Sequence, residues 1–128
     1  MDAGSVVTEF WRRIQARDWD GMRSLLADDV TIEWPNSLLR ISGADNIVEF
    51  NRTYPEGWSI DVQRVVAEGN TAVSEVRVPH EAVGPFYVVA FYEVDDGRIT
   101  RGREYWTEER YEPPSPERAR WFEPIERA

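Results

Sequence analysis

The chain has 128 residues, the length of one ordinary domain. A net charge of -9, with every one of the fifteen basic residues an arginine, argues against nucleic acid or an anionic membrane as the main partner. The absence of cysteine excludes thiolate catalysis, disulfides and cysteine metal sites, and the absence of lysine excludes a lysine Schiff base.

The first five residues, Met1 to Ser5, hold no basic stretch leading into an apolar run, and no apolar run approaches the ~20 residues of a membrane span. A cytoplasmic protein is therefore expected. Residues 5 to 17 read as an amphipathic helix, capped by Ser5, with Val6, Val7, Phe10, Trp11 and Ile14 at helical spacing. Asp18 to Gly21 breaks it. A short second helix follows, with Trp19, Met22, Leu25 and Leu26 inward. Val30 to Trp34 alternates as a short strand, stopped by Pro35-Asn36-Ser37. Gly43 precedes a third helix over 44–53 that carries Ile47, Val48 and Phe50. Strands are expected at 58–67, 71–79, 86–94 and 98–107, divided by Glu68-Gly69-Asn70, by 81–85 and by Asp96-Gly97. Asp96-Gly97 is a strong two-residue hairpin signal, because a type I′ turn needs positive φ that both residues tolerate. Residues 1–111 form one domain on this reading. Residues 112–128 form a Pro-rich, charged extension in which Ser115-Pro116-Glu117 suits a short helix and Trp121-Phe122 suggests docking, over a cavity mouth or a partner subunit.

Helices first, then an antiparallel meander, argues for an α+β fold with helices on one sheet face. The hairpin places one carboxylate, Glu104, among large apolar and aromatic neighbours. No metal-ligand spacing is visible, and His80 is the only histidine. Neither metal nor cofactor is expected.

Four segments carry a resemblance to a known family: Leu26 to Pro35, Ile41 to Phe50, Asp96 to Thr100, and Arg103 to Glu108. In this order they resemble the nuclear transport factor 2-like superfamily over residues 6–111. That superfamily includes ketosteroid isomerases, limonene epoxide hydrolases and SnoaL-type polyketide cyclases. The resemblance implies a cone-shaped, curved mixed sheet (a cystatin-like roll) with three N-terminal helices closing an apolar pocket. It also implies where catalytic groups would stand. The isomerases' two oxyanion donors and proton shuttle match Phe10, Phe86 and Trp34, none of which carries the required group. Of the epoxide hydrolases' Asp-Arg-Asp set, one Asp matches Glu104, while the Arg and the other Asp fall on Val76 and Val78. Their Tyr and Asn helpers fall on Ile32 and Trp34. The cyclases' last-strand carboxylate also matches Glu104, with Ala90 near the position of their histidine.

Alternation along strands then sorts the side chains by face. If Glu104 points inward, so do Gly102 and Trp106; the resemblance adds Phe86, Val88, Ala90, Tyr92, Val76, Val78, Ile32 and Trp34, with Trp11 and Ile14 closing the wide end. This lining predicts a flat or bulky hydrophobic ligand. The outward set includes Tyr87, Val89 and Phe91, a surface on which a homodimer is expected. Two functional classes follow. In one, Glu104 is a general acid or base in a cofactor-free cyclase, isomerase, dehydratase or epoxide hydrolase, because burial among Trp106, Trp34 and Tyr92 disfavours the charged carboxylate. His80 or Tyr92 would be its helper, or else His80 sits in a loop and Tyr92 is packing. In the other, the domain binds a ligand or assembles without catalysis.

Overall fold

Helix α1 spans Ala3–Gln15 because Val6, Val7, Phe10, Trp11 and Ile14 fall on one face and are all buried. Each such side chain is worth ~1.5–3 kcal/mol when removed from water. Its cap is Asp2, whose carboxylate accepts from the Ser5 N–H at 2.8 Å; Ser5, the expected cap, lies inside the helix. Arg17, expected to be helical, takes a left-handed φ of 58° beyond the helix end. Helix α2 spans Trp19–Ser24 and is capped by Asp18, which accepts from the Gly21 N–H at 3.0 Å. Helix α3 spans Ala44–Thr53, as expected, after Gly43 at φ 92°. The computed structural model describes residues 1–126; the last two residues of the expected extension lie outside the described residues.

Six strands form one sheet in the order β2-β1-β6-β5-β4-β3. They are β1 (Leu26–Trp34), β2 (Leu39–Ser42), β3 (Asp61–Glu68), β4 (Thr71–Val78), β5 (Phe86–Asp95) and β6 (Arg98–Glu108). Only the β1–β6 pairing is parallel, so the sheet is mixed, as the α+β cone requires. Two differences from expectation stand out. Leu26 opens β1 rather than ending α2, because it pairs with Ile99 and is fully buried there. β2 is an additional short edge strand; its Leu-Arg-Ile-Ser alternation lays Ile41 opposite Ile32.

The β5–β6 hairpin fixes the site. Asp96 and Gly97 both have positive φ, 51° and 74°, as a type I′ turn demands. Counting back from that turn alone would set Ala90 opposite Arg103. The register shifts by one between Glu93 and Val94, so Ala90 faces Glu104 and Tyr92 faces Gly102. Thr100 is the extra residue, and its hydroxyl donates to the Glu93 carbonyl at 3.3 Å. The bulge lets Ile99, Gly102 and Glu104 all point inward and leaves Arg101 and Arg103 exposed. Without it two arginines would enter the core, at the cost of desolvating both.

Helix α1 lies against β3, β4 and β5, and α3 against β1. The C-terminal extension forms one short 3-10 turn, Ala119–Trp121. Trp121, Phe122 and Ile125 stay exposed, so the expected docking does not occur within this chain. Among the described residues no helix is long and apolar enough to cross a membrane.

Candidate functional site

Among the described residues Glu104 is one of two buried polar or charged residues, at 7% exposure, and no arginine reaches it. Three uncharged donors do. Trp34 on β1 and Trp106 on β6 direct their indole N–H groups at Oε1, at 3.0 and 3.2 Å. The Tyr92 hydroxyl on β5 donates to Oε2 at 2.6 Å. Trp106 belongs to the same strand face two residues on. Tyr92 sits diagonally across the hairpin, opposite Gly102. That glycine is required, since a Cβ there would come within 2.8 Å of the Tyr92 ring and 3.3 Å of Ile32. Burial first, and the neighbouring Glu104 charge second, push the Tyr92 hydroxyl well above its ordinary value. Tyr92 therefore keeps its proton and spends it on Glu104. It is a partner of the carboxylate rather than a free donor for a substrate oxyanion.

Glu104 lies on the wall of a cavity of about 310 Å³. Trp11 and Ile14 from α1, Ile32 and Trp34 from β1, Val78 from β4, Phe86 from β5 and Trp106 from β6 line it, all of them expected. Val76, Val88 and Tyr92 face inward but do not line it. They lie where α1 packs onto the sheet: Trp11 donates to the Ser74 hydroxyl at 3.0 Å, and Phe10 meets the Tyr92 ring at 5.5 Å. The remaining wall comes from Phe10, Ile41, Ile60, Trp58 and one face of α3 with its cap, Ile47, Phe50, Asn51 and Tyr54. Those last four are spaced i, i+3, i+4, i+7, a helical stripe already visible in the sequence.

His80 is in the cavity wall but apart from Glu104. It forms an isolated antiparallel bridge with Trp58, and its Nδ1 accepts from the Ala82 N–H at 3.0 Å. The reason is its position past the end of β4, six residues beyond Ser74, which shares a strand row with Ala90 and Glu104. It is thus no hydrogen-bonding helper of that carboxylate. Arg17 covers the Trp58 ring at 3.4 Å and donates to the Trp58 carbonyl at 2.7 Å, tying the segment after α3 to the end of α1. Among the described residues no group of three or more His, Cys, Asp or Glu could hold a metal ion.

The arrangement offers one carboxylate, held by three uncharged donors, in the wall of a largely apolar cavity. Comparison with known proteins bears on the fold. Residues 7–102 match the SnoaL-like domain family, and the chain belongs to it. The epoxide hydrolase EphG of Mycobacterium tuberculosis is 31% identical over 106 residues, spanning 78% of this chain and 70% of that protein. A candidate ketosteroid isomerase from Kribbella flavida has a crystal structure that superposes with a TM-score of 0.88 at 31% identity, covering 98% of this chain and 90% of that one. A limonene-epoxide-hydrolase-like enzyme of Mycobacterium tuberculosis superposes at a TM-score of 0.71 with 28% identity, covering 82% of each chain.

Proposed function

We propose that the protein is a cofactor-free acid/base enzyme acting on a small hydrophobic substrate, with Glu104 carrying the proton. The observation behind this reading is the buried carboxylate on the wall of an apolar cavity, bound by three uncharged donors and no cation. An apolar side chain at that position would fill the space without the several kcal/mol of desolvation that a carboxylate brings. The three donors offset that cost and also orient the group. Oε1 has both lone pairs engaged and Oε2 one, so one lone pair of Oε2 is left to take a substrate proton.

The chemistry favoured is proton relocation. A C–H or O–H of the substrate gives its proton to Oε2, the electron pair moves to an adjacent carbonyl or closes a ring, and the same carboxyl returns the proton elsewhere. No external reagent is consumed. Epoxide hydrolysis is less favoured, because the positions that would match the second carboxylate and the arginine of epoxide hydrolases are the buried valines Val76 and Val78. The test is turnover of a series of β,γ-unsaturated aryl ketones, with styrene oxide alongside, by the wild type and Glu104→Gln. The expected result is ketone isomerisation that falls about 10²–10⁴-fold in the variant. Equal turnover by both proteins would end the proposal.

A second reading, a ligand-binding domain without catalysis, draws support from Phe10 and Phe86 in the cavity wall, where related isomerases hold oxyanion donors. Tight ligand binding with no turnover of any member of the series would favour it.

A further inference from the structure

The cavity has a second polar pole, and its donors are unmatched. Trp58 is 7% exposed, lines the cavity, and its Nε1–H has no hydrogen-bond partner. Buried donors without an acceptor are rare enough to need an explanation. His80 stands beside it through the isolated bridge that pairs the two residues. Because His80 Nδ1 accepts from the Ala82 N–H, the ring proton resides on Nε2, which has no partner among the described residues. The Tyr54 ring stands edge-on to His80 with centroids 6.2 Å apart. Arg17 fixes this corner by covering the indole and by pairing with Glu56 at 2.7 and 3.0 Å. Glu104 with its three donors forms one polar pole of the cavity; at the corner of Trp58 and His80 the buried indole N–H of Trp58 has no acceptor. The two lie in one cavity, separated by the six residues from the Glu104 strand row to His80, about 20 Å of fully extended chain.

We propose that Trp58 and His80 form a donor pole that binds an acceptor oxygen, of carbonyl, ester or ether type, on an elongated apolar ligand whose other end meets Glu104. This rests on reading the cavity as the ligand site. It adds a polarity to that site: apolar body, acceptor oxygen at one end, transferable proton at the other.

The experiment uses 4-acetylbiphenyl and 4-ethylbiphenyl, which share length and shape and differ by the carbonyl, titrated against the tryptophan fluorescence of the full chain. The expected result is ketone binding about five- to tenfold tighter than the hydrocarbon, the worth of one hydrogen bond. In His80→Phe and in Trp58→Phe that ratio falls to one or below. Comparing two ligands within each variant cancels packing changes, and His80→Phe decides alone if Trp58→Phe fails to fold. Equal affinities in the wild type, a ratio that survives both pole variants, or no binding of either probe up to its solubility overturns the proposal. Its failure is separable from that of the acid/base reading: a lost ratio leaves the Glu104 turnover result standing, and an inert Glu104→Gln substitution leaves the ratio standing.

Discussion

Two carboxylates on adjoining strands, Glu33 on β1 and Glu104 on β6, have opposite surroundings. Glu33 lies opposite Arg103 in register and points to the outer sheet face. There Arg40 binds it at 2.6 Å and Arg101 at 3.5 Å, and the Arg40 hydrogen bonds hold its carboxyl below the ordinary value. Glu104, the next residue after Arg103 and so on the other face, meets two indoles and a phenol and no cation. The difference teaches what strand parity does to a charge. On the wet face a carboxylate is neutralised by flexible arginines in high dielectric, where the pair is worth little. On the dry face it is held by neutral dipoles, with no cation beside it.

The sharpest way to break the contrast is Glu104→Gln. Besides the loss of turnover, the amide nitrogen sets a donor against a donor, so stability in urea melts falls by about 1–3 kcal/mol. A variant as stable as the wild type would mean that the three donors do not depend on the carboxylate. Gly102→Ala comes next. Its Cβ would stand 2.8 Å from the Tyr92 ring, and the ring has no room to yield; a loss of about 1–3 kcal/mol is expected by the same melts. Turnover should drop with it as Oε2 loses its partner.

Tyr92→Phe removes one donor and costs about 1 kcal/mol at neutral pH. Its clearer mark is alkaline. The folded hydroxyl titrates above the unfolded value of 10.0, so above pH 10 the unfolded chain releases a proton that the folded chain keeps. Stability is fully present below pH 10 and declines above it by ~1.4 kcal/mol per pH unit. Melts of the phenylalanine variant between pH 10 and 11 should decline less steeply by that amount; parallel slopes would show that Tyr92 titrates normally.

The smallest effect belongs to Glu33→Gln. Its folded carboxyl titrates below the unfolded 4.5, so its contribution is present above that pH and lost as pH falls through the folded value. At pH 7 the variant should match the wild type closely, and the gap should close further at pH 3 and in 1 M salt. A large gap at pH 7 would erase the distinction between the two faces.

Much of this was legible from residue order. The stripe Val6, Val7, Phe10, Trp11, Ile14 required a buried helical face, and Gly43 with Ile47 marked α3 at Ala44–Thr53. The cavity stripe Ile47, Phe50, Asn51, Tyr54 carries a helical period readable in the sequence. Other features were hidden. The Thr100 bulge reverses the parity that the Asp96-Gly97 turn would otherwise impose, and nothing local to Thr100 announces it. β2 is four exposed or half-buried residues whose pairing is settled only by β1.

By itself, then, the sequence determined the local elements, the α+β order, and an acid confined to an aromatic strand face, because helix stripes, turn glycines and alternation act over a few neighbouring residues. Only the tertiary structure decided which donors meet that acid. Trp34 reaches Glu104 across 70 residues of chain through a parallel pairing that no turn sets, and Tyr92 reaches it through a register that a bulge corrects. His80 was set apart for the same reason: its place follows from where β4 ends and from the bridge to Trp58, both products of packing rather than of nearest neighbours.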